Sequence, residues 1–189
     1  AASVAQAADD PYFKTKGSWE QGYDDQWAIK HVNVPEAWKV IGKKGKPVVV
    51  AVIDTGLDWN HKDINWNNIW TNKDEIPDNG KDDDNNGYVD DIIGWDFYGR
   101  HNNPFDHDGH GTFVSGVIAA DTNNGIGIAG IDPQAKIMVL KALNSFGHSR
   151  ASYLANAITY AADTGAQVIN MSVGGKHLTE IEQEAITSA

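Results

Sequence analysis

No cysteine occurs in the 189 residues, which excludes disulfide bridges and thiolate metal sites and leaves oxygen and imidazole as the ligand chemistry available to a metal. Long apolar runs are missing too. The longest, VVVAVI at residues 48–53, falls far short of the roughly 20 residues that cross a bilayer as a helix. Basic residues are scarce: 15 Lys and Arg stand against 26 Asp and Glu, a formal charge of -11 that repels a phosphate backbone or an anionic membrane surface. Neither nucleic acid nor membrane is expected as a partner. The opening AASVAQA lacks the charged n-region and full apolar core of an intact signal peptide, and is read as what remains after an upstream segment is removed.

What is present reads as globular, with 41% hydrophobic residues, enough for one substantial core. Residues 1–33 mix Asp, Gly, Trp and Tyr without sustained periodicity and predict an extended arm that packs by its aromatics. A short helix is expected from Val34, ended by the turn cluster GKKGKP at 42–47. The run at 48–53 predicts a strand buried on both faces, and the runs at 137–140 and 168–171 repeat the signature. Between them Leu154, Ala157, Ile158, Ala161 and Ala162 recur at helical spacing before Gly165, a C-terminal cap. Thr179 with Glu182 three residues on forms a capping box for a last helix. Strands alternating with helices imply an α/β fold on a parallel sheet, whose chemistry collects at the carboxyl ends of the strands. Asp54 is at such an end.

Three segments carry candidate chemistry. A carboxylate after six apolar residues stays ionised only if neighbours donate hydrogen bonds, and Asp54 can then orient a histidine; it can equally cap the turn Asp54-Thr55-Gly56. In His107-Asp108-Gly109-His110-Gly111-Thr112, glycines on both sides leave His110 approachable, and its pKa near 6.5 suits proton transfer; a hydrogen-bonded structural histidine fits as well. In Ser172-Val173-Gly174-Gly175 a strand edge loses its side chains at two glycines, as backbone pairing to a ligand requires.

Together these segments resemble the subtilase family of serine proteases, from about Val34 to Ala189. Residues 48–56 look like its Asp segment and Asp58-Trp59-Asn60-His61-Lys62-Asp63-Ile64 like the continuation. His110-Gly111-Thr112-Phe113-Val114-Ser115-Gly116 is similar to its His segment, with Phe113 and Ser115 in place of the commoner His and Ala. Ser172-Val173-Gly174-Gly175 resembles the wall of the primary specificity pocket, with Val173 in place of a common Leu. The resemblance implies a three-layer, parallel-sheet subtilisin-like fold, incomplete in this chain, with residues 1–33 as an arm and 34–189 as the N-terminal part of the catalytic domain. It implies that Asp54 orients His110 and that His110 serves a serine nucleophile as general base and acid, in the chain order Asp, His, Ser. A polypeptide substrate is then expected to lie extended between Leu143 to Gly147 and Ser172, Val173 and Gly174. Leu143 borders the subsite before the primary pocket.

The family's Gly-Thr-Ser nucleophile segment and its oxyanion-hole Asn do not occur in these residues. Ser115, near His110 in sequence, is expected to face packed interior. The chain alone is therefore expected to be inactive and to need the remaining C-terminal part of the catalytic domain, as a second chain or as the rest of the polypeptide. Competing readings are a noncatalytic pseudoprotease or calcium-dependent binding module, and a metallohydrolase using His107, Asp108 and His110.

Two loops point to calcium. In residues 82–91, DDDNNGYVDD, oxygen side chains alternate around a glycine as in an EF-hand opening, but the twelfth position is Ile93, so the bidentate Glu is missing. Asp82, Asp84, Asn86, Asp90 and Asp91 are the expected ligands. Asn123-Asn124-Gly125-Ile126-Gly127-Ile128 resembles the family's calcium loop after the His helix. That resemblance implies Asn124 by side chain, Ile126 and Ile128 by carbonyl, and Asp63, with Asp25 as the arm's contribution. The resemblance implies a secreted, extracellular protein, which calcium dependence, acidity and absent cysteine fit.

Overall fold

Strand β1 (Val49–Asp54) is buried from its second residue on, and its side chains alternate between two cores. Ala51 and Ile53 join Met138, Leu140, Ala157, Ile158 and Ala161 on one face, while Val50 and Val52 join Ile137, Val139 and Ala119 on the other. A strand covered on both faces has no polar side, which is why a continuous β-branched run forms it. The computed structural model describes residues 9–41, 45–175 and 177–189; the AASVAQA opening and residues 42–44 of the expected turn cluster lie outside the described residues.

Strands β2 (Gly94–Asp96), β3 (Lys136–Lys141) and β4 (Val168–Asn170) complete a four-stranded sheet in the order β2-β3-β1-β4, with every pairing parallel. The register sets Asp54 beside Lys141 and Lys141 beside Asp96, so three charged residues end adjacent strands. Three of the strands fall where the apolar runs place them. Strand β2 does not announce itself, being three residues long and built as Gly-Trp-Asp. Gly94 has φ +123°, and an added Cβ would lie 2.0 Å from the Val139 carbonyl oxygen, so only glycine lets the strand approach β3.

Three helices close the layers. Helix α4 (His110–Ala119) contributes Ala119 to the core containing Val50 and Val52. Helices α5 (Ala151–Asp163) and α6 (Glu180–Ser188) contribute Ala157, Ile158, Ala161 and Ala185 to the opposite core. Alanines at three of the five buried positions of α5, beside Ile158 and Tyr160, let it lie close to the strands. Gly165 follows α5 with φ +85°, and the amide of Ala166 bonds back to the Ala161 carbonyl, as a glycine C-terminal stop requires. The capping box opening α6 is formed as expected: Thr179 accepts from the Glu182 amide while the Glu182 carboxylate accepts from that of Thr179. The result is an α/β arrangement of helices on both faces of a parallel sheet, as the subtilase resemblance implies.

The segment before the sheet is not extended. Short helices α1 (Pro11–Lys14) and α2 (Trp27–His31) fold against α3 (Val34–Ile41), and Phe13, Ile29, Val34 and Trp38 form one small core with Ala129. Phe13 and Trp38 meet with ring centroids 5.8 Å apart, and Trp38 Nε1 donates to the Ile131 carbonyl at 2.8 Å. Packing therefore joins the arm, α3 and Ala129 in one small core. Periodicity missed α1 and α2 because helices of four and five residues are too short to show it.

Ser115 faces inward from α4, 1% exposed, and its hydroxyl is the one buried side-chain polar atom without a hydrogen-bond partner among the described residues. Removing an unsatisfied hydroxyl while raising helix propensity favours the folded state. Ser115→Ala is expected to raise stability by about 1 kcal/mol in urea unfolding. A loss of that size would show the hydroxyl to be satisfied.

Candidate active site

The turn after β1 and the start of α4 come into direct backbone contact, and two glycines allow it. Gly56, at φ +114°, has no room for a side chain: an added Cβ would lie 2.4 Å from the Pro104 carbonyl oxygen. A Cβ at Gly111 would lie 2.3 Å from the Gly56 carbonyl oxygen and 3.2 Å from Asp54 Cβ. The glycine after His110 thus serves the approach of helix to strand, beyond leaving the imidazole open.

That approach puts His110 Nδ1 2.8 Å and 3.0 Å from the two carboxylate oxygens of Asp54. Asp54 is fully buried, and its Oδ1 also accepts from the Thr55 amide at 2.7 Å, the turn amide that a buried carboxylate at a strand end calls for. The imidazole itself is half exposed. Its pKa is raised, first by the Asp54 hydrogen bond, which outweighs desolvation, and then by the charges of Asp54, Asp108 and Asp106. With Nδ1 turned to Asp54, Nε2 is the atom left for proton exchange with a reactant.

His110 opens onto a cavity of about 750 Å³ lined by Leu143, Gly147, Ser172, Val173 and Gly174, the five residues expected to hold substrate, and by Thr55 and Asp108. The two walls come from the loop after β3 and the segment after β4. Leu143 is buried, Phe146 projects into solvent, and Gly147 takes φ +71° in a turn whose amides bond to Asn144. No serine hydroxyl bonds to the His110 ring among the described residues. Ser149 donates to the Ala142 carbonyl, and Ser172 accepts from the Asn170 side chain.

His107, Asp108 and His110 do not converge as metal ligands. The His107 ring packs on Phe105, Asp108 accepts from the His110 amide, and His110 Nδ1 is taken by Asp54. The only trio of His, Asp or Glu side chains whose ligand atoms lie mutually within 4.8 Å among the described residues is Glu75, Asp82 and Asp84. Glu75 escaped the sequence reading because it precedes the alternating run; its carboxylate accepts from the amides of Asp83, Asp84 and Asp90 and so folds into the loop. Asp90 stands outside this trio, its two oxygens accepting from the amides of Asn79 and Gly80. Asp91, fully buried, accepts from Asn72, Asn86 and the Tyr160 hydroxyl, while Asn86 bridges Asp84 and Asp91.

At the second loop Asp63 accepts from the Asn124 side chain and the Ile128 amide, both at 2.9 Å, and the Asn124 side-chain oxygen accepts from the Ile126 amide. Asp25 is not there. It is tied within the arm to Thr15, Ser18 and Gln21. The arm's carboxylate at this place is Asp10, fully buried, whose oxygens accept from the amides of Asn123 and Asn124. Its pKa is raised by burial, with a further push from the charge of Asp63. Asp10 gave no sequence signal, since one acid in an aperiodic arm looks like any other.

The Subtilase family sequence model matches residues 45–187. Thermitase from Thermoactinomyces vulgaris is 33% identical over 180 residues, 95% of this chain and 52% of its own length. A thermophilic serine proteinase from Bacillus sp. (strain AK1) is 38% identical over 87% of this chain and 35% of its own. Subtilisin-like protease 1 of Plasmodium berghei (strain Anka) is 34% identical over 84% of this chain and 28% of its own. The chain thus spans about half or less of the relatives it matches. A match across both glycine-permitted contact segments and both walls of the cavity leads to one conclusion: the chain belongs to the subtilase family.

Proposed function

We propose that this chain supplies the acid–base pair and one part of the substrate groove of a subtilisin-type serine endopeptidase. The observation that carries the reading is the buried Asp54 carboxylate on Nδ1 of a half-exposed His110 at the mouth of a two-walled cavity. Asp54 fixes the tautomer and stabilises the imidazolium. His110 Nε2 takes the proton of a serine hydroxyl as it attacks the peptide carbonyl, then returns it to the leaving amine. The serine and the oxyanion donors come from residues outside these 189. A polypeptide lies extended between the Leu143 to Gly147 loop and Ser172, Val173 and Gly174. The protein acts outside cells, a placement compatible with the acidic charge and with the absence, among the described residues, of a helix long and apolar enough to cross a membrane.

Calcium is proposed at both acidic places, each of which fits the ion on a structural ground. At the first, three carboxylates converge with no Lys or Arg ion pair to them among the described residues. At the second, burial and the charge of the neighbouring buried Asp63 make the Asp10 carboxylate costly to ionise, which a divalent cation relieves. Glu75, Asp82 and Asp84 would hold one ion, with Asn86 beside them; Asp10, Asp63 and Asn124 would hold the other, with Ile126 and Ile128 in the same loop. The ions tie loops together and take no part in the reaction.

In the intact protein a fluorophosphonate is expected to label a serine outside residues 1–189, and casein to be hydrolysed; the 189-residue chain alone is expected to show neither. Asp54→Asn should lower kcat by about 10⁴-fold, the scale of the same Asp-to-Asn change in a Ser-His-Asp triad. A normal rate in that variant would contradict the assignment. Since His110 must be neutral to act as base and its folded pKa lies above 6.5, kcat/KM should rise with pH through that higher midpoint. The same pair contributes stability fully present below pH 6.5 and lost as pH rises through the raised value.

EGTA is expected to lower Tm, since an ion at 100 times its Kd adds about 2.7 kcal/mol. Asp10→Asn should remove part of that sensitivity and Asp25→Asn none of it. An EGTA-insensitive Tm would contradict the calcium assignment, and the opposite pattern would return the ligand role to Asp25.

A further inference from the structure

Asp106, on the loop leading into α4, is buried, yet it is neither part of the acid–base pair nor at a metal place. Its Oδ1 accepts from the amides of Asp108 and Gly109 and from the Thr55 hydroxyl, each at 2.9 Å. Its Oδ2 accepts from the Thr112 amide at 2.9 Å and the Thr112 hydroxyl at 2.6 Å. Burial pushes the carboxyl up, but hydrogen bonds from Gly109, Thr112 and Asp108 outweigh it and hold the pKa at about 2. The group is ionised throughout the neutral range and makes more charge-assisted bonds than a cap needs.

The donors come from two elements. Asp108, Gly109 and Thr112 surround His110 in sequence, whereas Thr55 follows Asp54 at the end of β1. The Thr55 hydroxyl spends its proton on Asp106 and offers a lone pair to the Gly111 amide at 2.9 Å. Thr112 repeats the pattern, donating to Asp106 and accepting from the Asp58 amide at 2.9 Å. One carboxylate thus fixes two hydroxyls, and each hydroxyl joins the Asp54 turn to the first turn of the His110 helix. Lys141 on β3 steadies the same loop by donating to the Phe105 carbonyl at 2.7 Å.

We propose that Asp106 is a positioning residue: through Thr55 and Thr112 it clamps the start of the His110 helix onto the strand end bearing Asp54, and so sets the geometry of the Asp54–His110 hydrogen bond. The inference rests on the acid–base reading of that pair. Its readout is the His110 resonance and not turnover, so a failure of the endopeptidase reading and a failure of this one are distinguishable.

Asp106→Asn converts one acceptor oxygen into a donor that faces other donors. Thr55→Val removes one hydroxyl and no charge. The charged groups facing His110 are Asp54 on β1 and Asp106 and Asp108 on the loop, so Thr55→Val leaves the electrostatic surroundings intact. In the intact protein, followed by ¹H and ¹⁵N NMR of its histidines, both variants are expected to lower the His110 titration midpoint by about half a pH unit and to broaden or abolish its low-field Nδ1 proton signal. A shift in Asp106→Asn without one in Thr55→Val would reduce the effect to the lost charge and overturn the clamp. A lowered Tm with unchanged His110 signals in both would show a merely structural role and overturn it equally. If Asp106→Asn does not fold, Thr55→Val decides alone.

Discussion

A fully buried carboxylate at the end of an apolar strand is the constraint on which the rest depends. Burying a carboxylate without donors is costly, and Asp54 orients an imidazole only where such donors are supplied. Its donors are the Thr55 amide and His110 Nδ1. The second exists only because the α4 N-terminus comes so close to the strand end that Gly111 has no room for a side chain, while Gly56 has none against the loop at Pro104 to Asp106. The sheet carries the strand end, the small-residue helices fix the sheet, and the Asp106 network holds the helix start. Each level of the fold thus ends at one hydrogen bond.

The parallel sheet explains why the groove is where it is. The loop after β3 and the segment after β4 both leave the carboxyl edge of the sheet on either flank of β1, so they rise as walls beside the turn bearing Asp54. Leu143 and Val173 then face one cavity although 30 positions separate them in the numbering of the chain.

Much of this arrangement was legible in the residues. Strands β1, β3 and β4 are continuous apolar runs, α5 has helical spacing and a glycine stop, and α6 carries its own capping box, because each signal is local. The glycine-flanked His110 and the Asp54 turn were legible as candidates, and their resemblance to subtilases paired them. What escaped depends on contacts distant in sequence. Asp10 meets Asn123 across 113 positions, Asp106 meets Thr55 across 51, and neither sits in a pattern that spacing reveals. Strand β2 exists because Gly94 can press against Val139. Glu75 joins Asp82 and Asp84 where three loop amides bind it, and Asp90 accepts from the amides of Asn79 and Gly80.

The proposed role of His110 as the proton-transfer group of a peptide-binding groove is open to a direct chemical test: the intact protein is treated with a peptidyl chloromethyl ketone and the alkylated nitrogen is mapped by mass spectrometry. Modification is expected at His110 Nε2, slowed by a competing peptide and lost in Asp54→Asn. Alkylation spread over the other histidines, or unaffected by peptide and by Asp54→Asn, would contradict it.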